Sequence, residues 1–305
     1  MDGLRDRIVE FARRASVELT PQDRHARRAL AGLVPPGTSV YVTHTPNATV
    51  ADVADAACAV EGWGYRAFPH VVARRIPDER TLAGALARMR DAGIDRAMLI
   101  AGDLTTPAGR FSGTLDVLAT GALVNAGFLT LGVAGHPEGH KRIGATTLWH
   151  ALAEKQEYAD VTGTRMHIVS QFGFDPGAVC AWERKLTEHG VTLPVHVGIA
   201  GPAPLKVLIR YAMLCGIGNS LNALMTNLSA LASVRHLATS AGEVLVHVAR
   251  AREGALARRF VQPHFFSFGG VAETARWLHA VQGGDFELTP DGGLALRPLA
   301  VEADA

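Results

Sequence analysis

Short apolar runs rich in β-branched residues alternate along the chain with longer stretches whose apolar positions recur at helical spacing. The runs fall at residues 15–19, 39–44 (SVYVTH), 65–72 (YRAFPHVV), 96–102 (RAMLIAG), 128–135 (FLTLGVAG), 167–172 (HIVSQF), 194–201 (PVHVGIAG) and 261–268 (VQPHFFSF). Helical patterns such as ADVADAACAVEGW and RTLAGALARMRDAG separate them. A further helix is predicted over PQDRHARRALAGL, with Thr20 as its cap and Pro21 at the first helical position. One connection is long: residues 203–258 hold two or three helices, among them SAGEVLVHVARAREGALARRF. Eight βα units predict an α/β chain folded as a (β/α)8 TIM barrel, with an extra N-terminal helix (MDGLRDRIVEFARRA) and a helical insertion before the last strand. The competing doubly wound sheet would carry GxGxxG in its first βα turn, and neither that motif nor GxxxxGK[ST] occurs. With no Pro/Ser-rich linker and no internal repeat, residues 1–305 read as a single barrel domain. Its core covers about 15–282, and 283–305 form a tail whose Gly-Gly pairs suggest a hairpin or a loosely packed end.

Composition narrows the classes. In 305 residues, 48% are apolar and 19% charged, enough for a large core and too apolar for a disordered chain. Lys plus Arg (30) balances Asp plus Glu (29), so no charge argument favours nucleic acid or an anionic membrane. No apolar run approaches a membrane span of roughly 18–20 residues, and the N-terminal segment lacks a signal-peptide core. Three widely spaced cysteines (Cys58, Cys180, Cys215) without a CxxC read as reduced thiols of a cytoplasmic protein. A small-molecule substrate is expected, and a homo-oligomer is left open.

In a (β/α)8 barrel the active site is built from the loops leaving the C-terminal strand ends. Glu18 closes the first run and Thr43, His44 and Thr45 the second. His70 closes the third and Asp103 the fourth, while GHPEGH adds His136, Glu138 and His140 after the fifth. Ser170 and Gln171 close the sixth, and His264 and Ser267 the eighth. Strand seven ends in GIAG, mainly backbone, which suits close approach of a flat ligand. Glu18 stands inside an apolar run, where a carboxyl group is costly without a purpose. Asp103 either serves the site or caps the helix that follows. Gln171 is a buried amide that needs partners, and backbone alone could supply them. His196 is expected as a hydrogen-bonded interior histidine. His136 and His140 are four apart, but Pro137 and Gly139 make a turn there, so helical metal-ligand spacing does not apply. A metal-dependent barrel hydrolase using His70, His136 and His264 would also want a His-x-His on the first strand. SVELT has none, and no metal site is expected.

Taken in order, these segments resemble the methylenetetrahydrofolate reductase family. SVELTP looks like its first-strand motif, AGDL its fourth-strand Arg-Gly-Asp-Leu, and VAGHPEGH its Tyr-Pro-Glu-x-His. SQFGFD is similar to its Thr-Gln-Phe-Phe-Phe-Asp, VHVGIAGP to its Pro-Gly-Ile-x-Pro, and PHFFSF to its His-Phe-Tyr-Thr, from about residue 15 to 282. The resemblance implies NAD(P)H-dependent reduction of 5,10-methylenetetrahydrofolate to 5-methyltetrahydrofolate in one-carbon metabolism. It makes Glu18 the general acid that protonates the leaving nitrogen and Asp103 the charge beside the cationic iminium. Gln171, His264 and Ser267 would bind the folate. Thr43, His44, His70, Asp103, His136, Glu138, His140 and Lys155 would surround the cofactor. FAD is left undecided, because Ala101 stands at the family's arginine, His136 at its tyrosine, and only Lys155 remains of a lysine-rich helix. A folate- or flavin-binding barrel without reductase activity is the expectation from another class.

Overall fold

The computed structural model describes residues 2–297 apart from 24, 218–236, 254–258 and 291. Eight parallel strands close into a barrel in sequence order. They are β1 (Ser16–Leu19), β2 (Ser39–Val42), β3 (Arg66–Val72), β4 (Arg96–Ile100), β5 (Thr130–Gly135), β6 (Arg165–Ser170), β7 (Val195–Ala200) and β8 (Phe260–Phe266). The (β/α)8 expectation and the single closed sheet therefore hold, each strand lying within a residue or two of its run.

The alternation of side chains along each strand produces two cores. Outward residues such as Val17, Val40, Leu99, Val133, Ile168 and Val197 pack beneath the helices in one continuous cluster. Inside the barrel a smaller cluster of Tyr41, Phe68, Met98 and Val169 fills the lumen. Around the outside run α1 (Asp2–Arg13), α2 (Ala26–Leu30), α3 (Val50–Gly62), α4 (Glu79–Asp91), α5 (Thr114–Ala119) and α6 (Ala122–Asn125). They continue with α7 (Ala145–Thr162), α8 (Pro176–Glu188), α9 (Leu205–Cys215), α10 (Leu237–Ala251) and α11 (Val271–Gly283). Local chemistry sets several starts. Thr49 and Asp52 form a reciprocal capping box on α3, and Asp175 caps α8 just before Pro176. The extra helix α1 buries Ile8 and Phe11 completely.

The helix predicted from Pro21 is much shorter, beginning only at Ala26. Asp23 Oδ2 accepts the Thr20 backbone N–H at 2.7 Å, so a side-chain turn competes with the helix and Thr20 does not cap it. The insertion before β8 contains α9 and α10; its middle, 218–236, and the 254–258 part of SAGEVLVHVARAREGALARRF lie outside the described residues. The described part of the tail holds a hairpin: β9 (Phe286–Leu288) pairs antiparallel with β10 (Leu294–Leu296), burying Phe286 and Leu294, while 298–305 lie outside the described residues. At the N-terminal end of the barrel, the buried Arg96 guanidinium donates to both Glu61 oxygens at 2.5 and 2.6 Å. The three cysteines are free and half-buried, and no helix among the described residues is long and apolar enough to cross a membrane.

Candidate active site

The C-terminal strand ends surround a cavity of about 1300 Å³. Glu18 is among its lining residues. Ser16 and Glu18 are two apart on β1 and so share the inward face, and β8 brings His264 into register with Ser16. His264 Nε2 lies 3.1 Å from Glu18 Oε1, and its Nδ1 lies 2.9 Å from Ser16 Oγ. A carboxylate only accepts, so Nε2 carries the hydrogen; in the neutral imidazole Nδ1 then accepts from the Ser16 hydroxyl. Both His264 and Ser16 are fully buried, whereas Glu18 reaches the cavity.

Two further imidazoles flank this carboxylate. His70 Nε2 is 3.8 Å from Glu18 Oε1, beyond hydrogen-bond reach, and is buried without a partner. Burial presses the His70 pKa down to about 4 against the pull of Glu18, so the ring is neutral. His44 donates from Nδ1 to the Thr45 carbonyl at 3.1 Å, which leaves Nε2 as a bare acceptor, also buried and unpartnered. Burial lowers its pKa as well. Across the mouth, Gln171 lines the wall, its Oε1 accepting the Phe172 backbone N–H at 3.2 Å. Beside it, burial pushes the Cys215 thiol up to about 11, the Glu18 charge adding to the effect and a Gln171 hydrogen bond opposing it.

Beneath Glu18 lies a polar layer that strand-end reasoning missed. Tyr41 Oη is 2.8 Å from His167 Nε2 and 3.4 Å from His196 Nδ1, and the two imidazoles stack at 3.9 Å. Tyr41 also stacks on Phe68 at 4.6 Å. Gly132 makes room for this layer: a Cβ there would meet Met98 Sδ at 2.8 Å and His167 Nε2 at 3.0 Å. The available signal was period two in SVYVT, which puts Tyr41 on the inward face two residues before Thr43. His196 is the interior histidine its mid-strand position predicts.

At the rim, Asp103 pairs with Arg75 at 3.0 Å and keeps its side chain 69% exposed. Burial raises its pKa, but the Arg75 hydrogen bond and charge outweigh it and hold the carboxyl below its usual range. The turn before it needs glycine, since Gly102 has φ +94° and a Cβ there would lie 2.4 Å from Val72 Cγ1. Arg142 donates to the Asp103 carbonyl at 2.9 Å and Arg74 to that of Leu104 at 2.9 Å. These arginines, also absent from the sequence-derived set, thus bond to loop groups beside Ala101.

Past β5, His136, Glu138 and His140 line the cavity from a turn, with the two rings edge to face at 5.2 Å. Burial, helped by His140 and Lys155, lowers the His136 pKa to about 4. Lys155 on α7 lines the same cavity and is only 7% exposed. Three predicted residues do not line the cavity. Thr43 Oγ1 donates to the Leu19 carbonyl at 3.2 Å, Ser267 Oγ to the Glu18 carbonyl at 2.7 Å, and His264 acts through Glu18. Strand seven also differs from its expectation. The Gly198 N–H donates to Ser170 Oγ at 2.8 Å and a Cβ there would strike the Ser170 carbonyl at 2.2 Å, so the glycine admits a neighbouring strand and not a ligand. Among the described residues no group of three or more His, Cys, Asp or Glu side chains gathers as a metal-ligand set. His70, His136 and His264 are therefore not a ligand cluster.

No protein-family model matches the chain. Among solved structures, it is similar to dihydropteroate synthase from Thermus thermophilus, at 15% identity and a TM-score of 0.47, covering 88% of this chain and 90% of that one. It is also similar to 7,8-dihydropteroate synthase from Vibrio fischeri, at 11% identity and a TM-score of 0.45, covering 88% and 92%. These are synthases and not methylenetetrahydrofolate reductases, and the reductase resemblance is corrected on that finding. With it goes the oxidoreductase activity that it implied. The short motifs that carried the resemblance are strand ends, and strand ends in any such barrel are selected for turning and for facing the mouth.

Proposed function

We propose that the barrel mouth binds a folate-class ligand, a planar N-heterocycle with an anionic tail, and that the protein handles it by acid–base rather than hydride chemistry. The observation that carries this reading is the state of Glu18. One carboxylate oxygen is held by His264 at 3.1 Å, and the other has no partner among the described residues while the side chain borders the cavity. A carboxylate so placed accepts from adjacent N–H groups, the pattern of an aminopyrimidine edge. His44 Nε2 adds a second bare acceptor on the same side, and the Gln171 amide faces from β6. Ile100, Ala134, Val169 and Phe266 supply apolar walls for a ring, and Arg142 and Lys185 supply positive charge for a tail.

The proton chemistry follows from the same groups. Glu18 can pass a proton to or take one from a ligand nitrogen, and His264, locked by Ser16, keeps the carboxylate oriented. His70, neutral and without a hydrogen-bond partner, flanks the same carboxylate at 3.8 Å. The test is calorimetric titration with tetrahydrofolate and 5-methyltetrahydrofolate, beside an NADH-consumption assay with 5,10-methylenetetrahydrofolate, with and without FAD. Saturable folate binding that weakens in Glu18→Gln, with no NADH consumed, is the expected result. Absence of folate binding at millimolar ligand would overturn the reading.

A further inference from the structure

Lys155 is unlike the other cations of this chain. Of the 30 Lys and Arg residues only four are lysines: Lys141, Lys155, Lys185 and Lys206. Lys155 is the buried one, at 7% exposure, and it has neither an ion pair nor a hydrogen bond among the described residues. A buried cation without a carboxylate is costly, and an arginine in its place would have to stay charged. An amine eases that cost by giving up its proton more readily. Burial pushes the Lys155 amine down to about 8, with Glu154 opposing.

Its position turns this into chemistry. α7 follows β5, so in the closed strand order Lys155 stands across the mouth from Glu18 on β1, and both line one cavity. His136 is close enough for the Lys155 charge to depress its own pKa, and Arg142 and Lys185 line the same space. We propose that Lys155 is a nucleophile that captures an aldehyde bearing an anionic group, holding it as an imine opposite the Glu18 carboxylate. The amine lone pair adds to the carbonyl carbon, and the carbonyl oxygen leaves as water after proton transfers; a C=N bond replaces C=O and nothing is oxidised or reduced. His136, neutral beside the amine, is placed to carry those protons. This inference goes beyond the folate reading and does not depend on it.

Pyridoxal 5′-phosphate, an aldehyde with a phosphate, is the probe. One equivalent is added to the full chain, borohydride reduces any imine, and intact mass with peptide mapping locates the adduct. The expected result is one adduct per chain, at Lys155, with Lys141, Lys185 and Lys206 as internal controls. Lys155→Arg keeps the charge but cannot form the imine, so labelling there falls by about twenty-fold or more. Because the wild-type map alone locates the adduct, the test survives a variant that fails to fold. Labelling spread over the other lysines, or no reducible adduct at all, overturns the proposal.

Discussion

Glu18 and His264 stand 246 residues apart in sequence and share a hydrogen bond of 3.1 Å. Closure of the barrel, which pairs β1 with β8, puts them side by side. The imidazole that orients the carboxylate is itself oriented by Ser16, so three side chains from two strands act as one unit.

Removing the outer member of that unit tests it. Ser16→Ala leaves His264 Nδ1 buried without a donor, and a buried unsatisfied group costs about 1–3 kcal/mol. The expected outcome is a lower urea midpoint with an unchanged slope, and weaker folate binding because the imidazole can then turn away from Glu18. Binding and stability both unchanged would show that Ser16 does not fix the tautomer.

Glu18→Gln replaces an acceptor-only group by one that also donates. A hydrogen bond to a charged group contributes about 1.5–3 kcal/mol, so the tetrahydrofolate dissociation constant should rise roughly ten- to hundred-fold. Asp103→Asn serves as the comparison. Its carboxylate is exposed at the rim and paired with Arg75, so its effect on affinity should be much smaller.

Histidines lowered by burial, His70, His136 and His167 among them, give the protein an acid-sensitive interior. Burial lowers His70 and His136 to about 4 and His167 to about 3, all below the ordinary 6.5. In the window between those values the unfolded chain binds protons that the folded one refuses, so stability falls as pH drops from 6.5 towards 4. Each histidine contributes a slope of up to about 1.4 kcal/mol per pH unit. Urea midpoints at pH 7.5, 6 and 5 measure the loss, and His70→Gln should flatten it by one proton. A midpoint that rises on acidification contradicts the assignment of neutral histidines.

Gly132→Ala probes the packed layer beneath the site. The added methyl would meet Met98 Sδ at 2.8 Å and His167 Nε2 at 3.0 Å. Overpacking of this kind costs about 1–3 kcal/mol. A thermal melt should show the loss; unchanged stability would mean that Met98 and His167 yield without strain.

Far from the mouth, Arg96→Met takes two hydrogen bonds from the Glu61 carboxylate and leaves it the Ala67 backbone N–H. Breaking a buried pair from one side costs about 3–5 kcal/mol. Stability should fall by that order while folate affinity at the opposite end stays the same. Loss of affinity without loss of stability would contradict a purely structural role.

The number and order of the strands and their parallel pairing were legible in the sequence because they rest on local periodicity, whereas the Gly-Gly pairs of the tail left a hairpin and a loose end both open. Period two in SVYVTH and TLGVAG and period 3.6 between them are properties of neighbouring residues. Glu18, Gln171 and His70 were legible as cavity residues for a related reason: every strand of a closed parallel barrel points its C-terminal end at one mouth. What each group does there was decided only by closure. His264 turned from the ligand to Glu18, Ser267 and Thr43 turned to backbone carbonyls, and the GIAG of strand seven turned to Ser170, because their partners lie on strands far away in sequence. The Tyr41–His167–His196 layer is likewise a meeting of three strands that no local pattern records. Resemblance failed at the same boundary. Strand-end motifs report that a residue faces the mouth, which is a local fact, whereas the reaction depends on distances across the barrel, which are set by folding the whole chain.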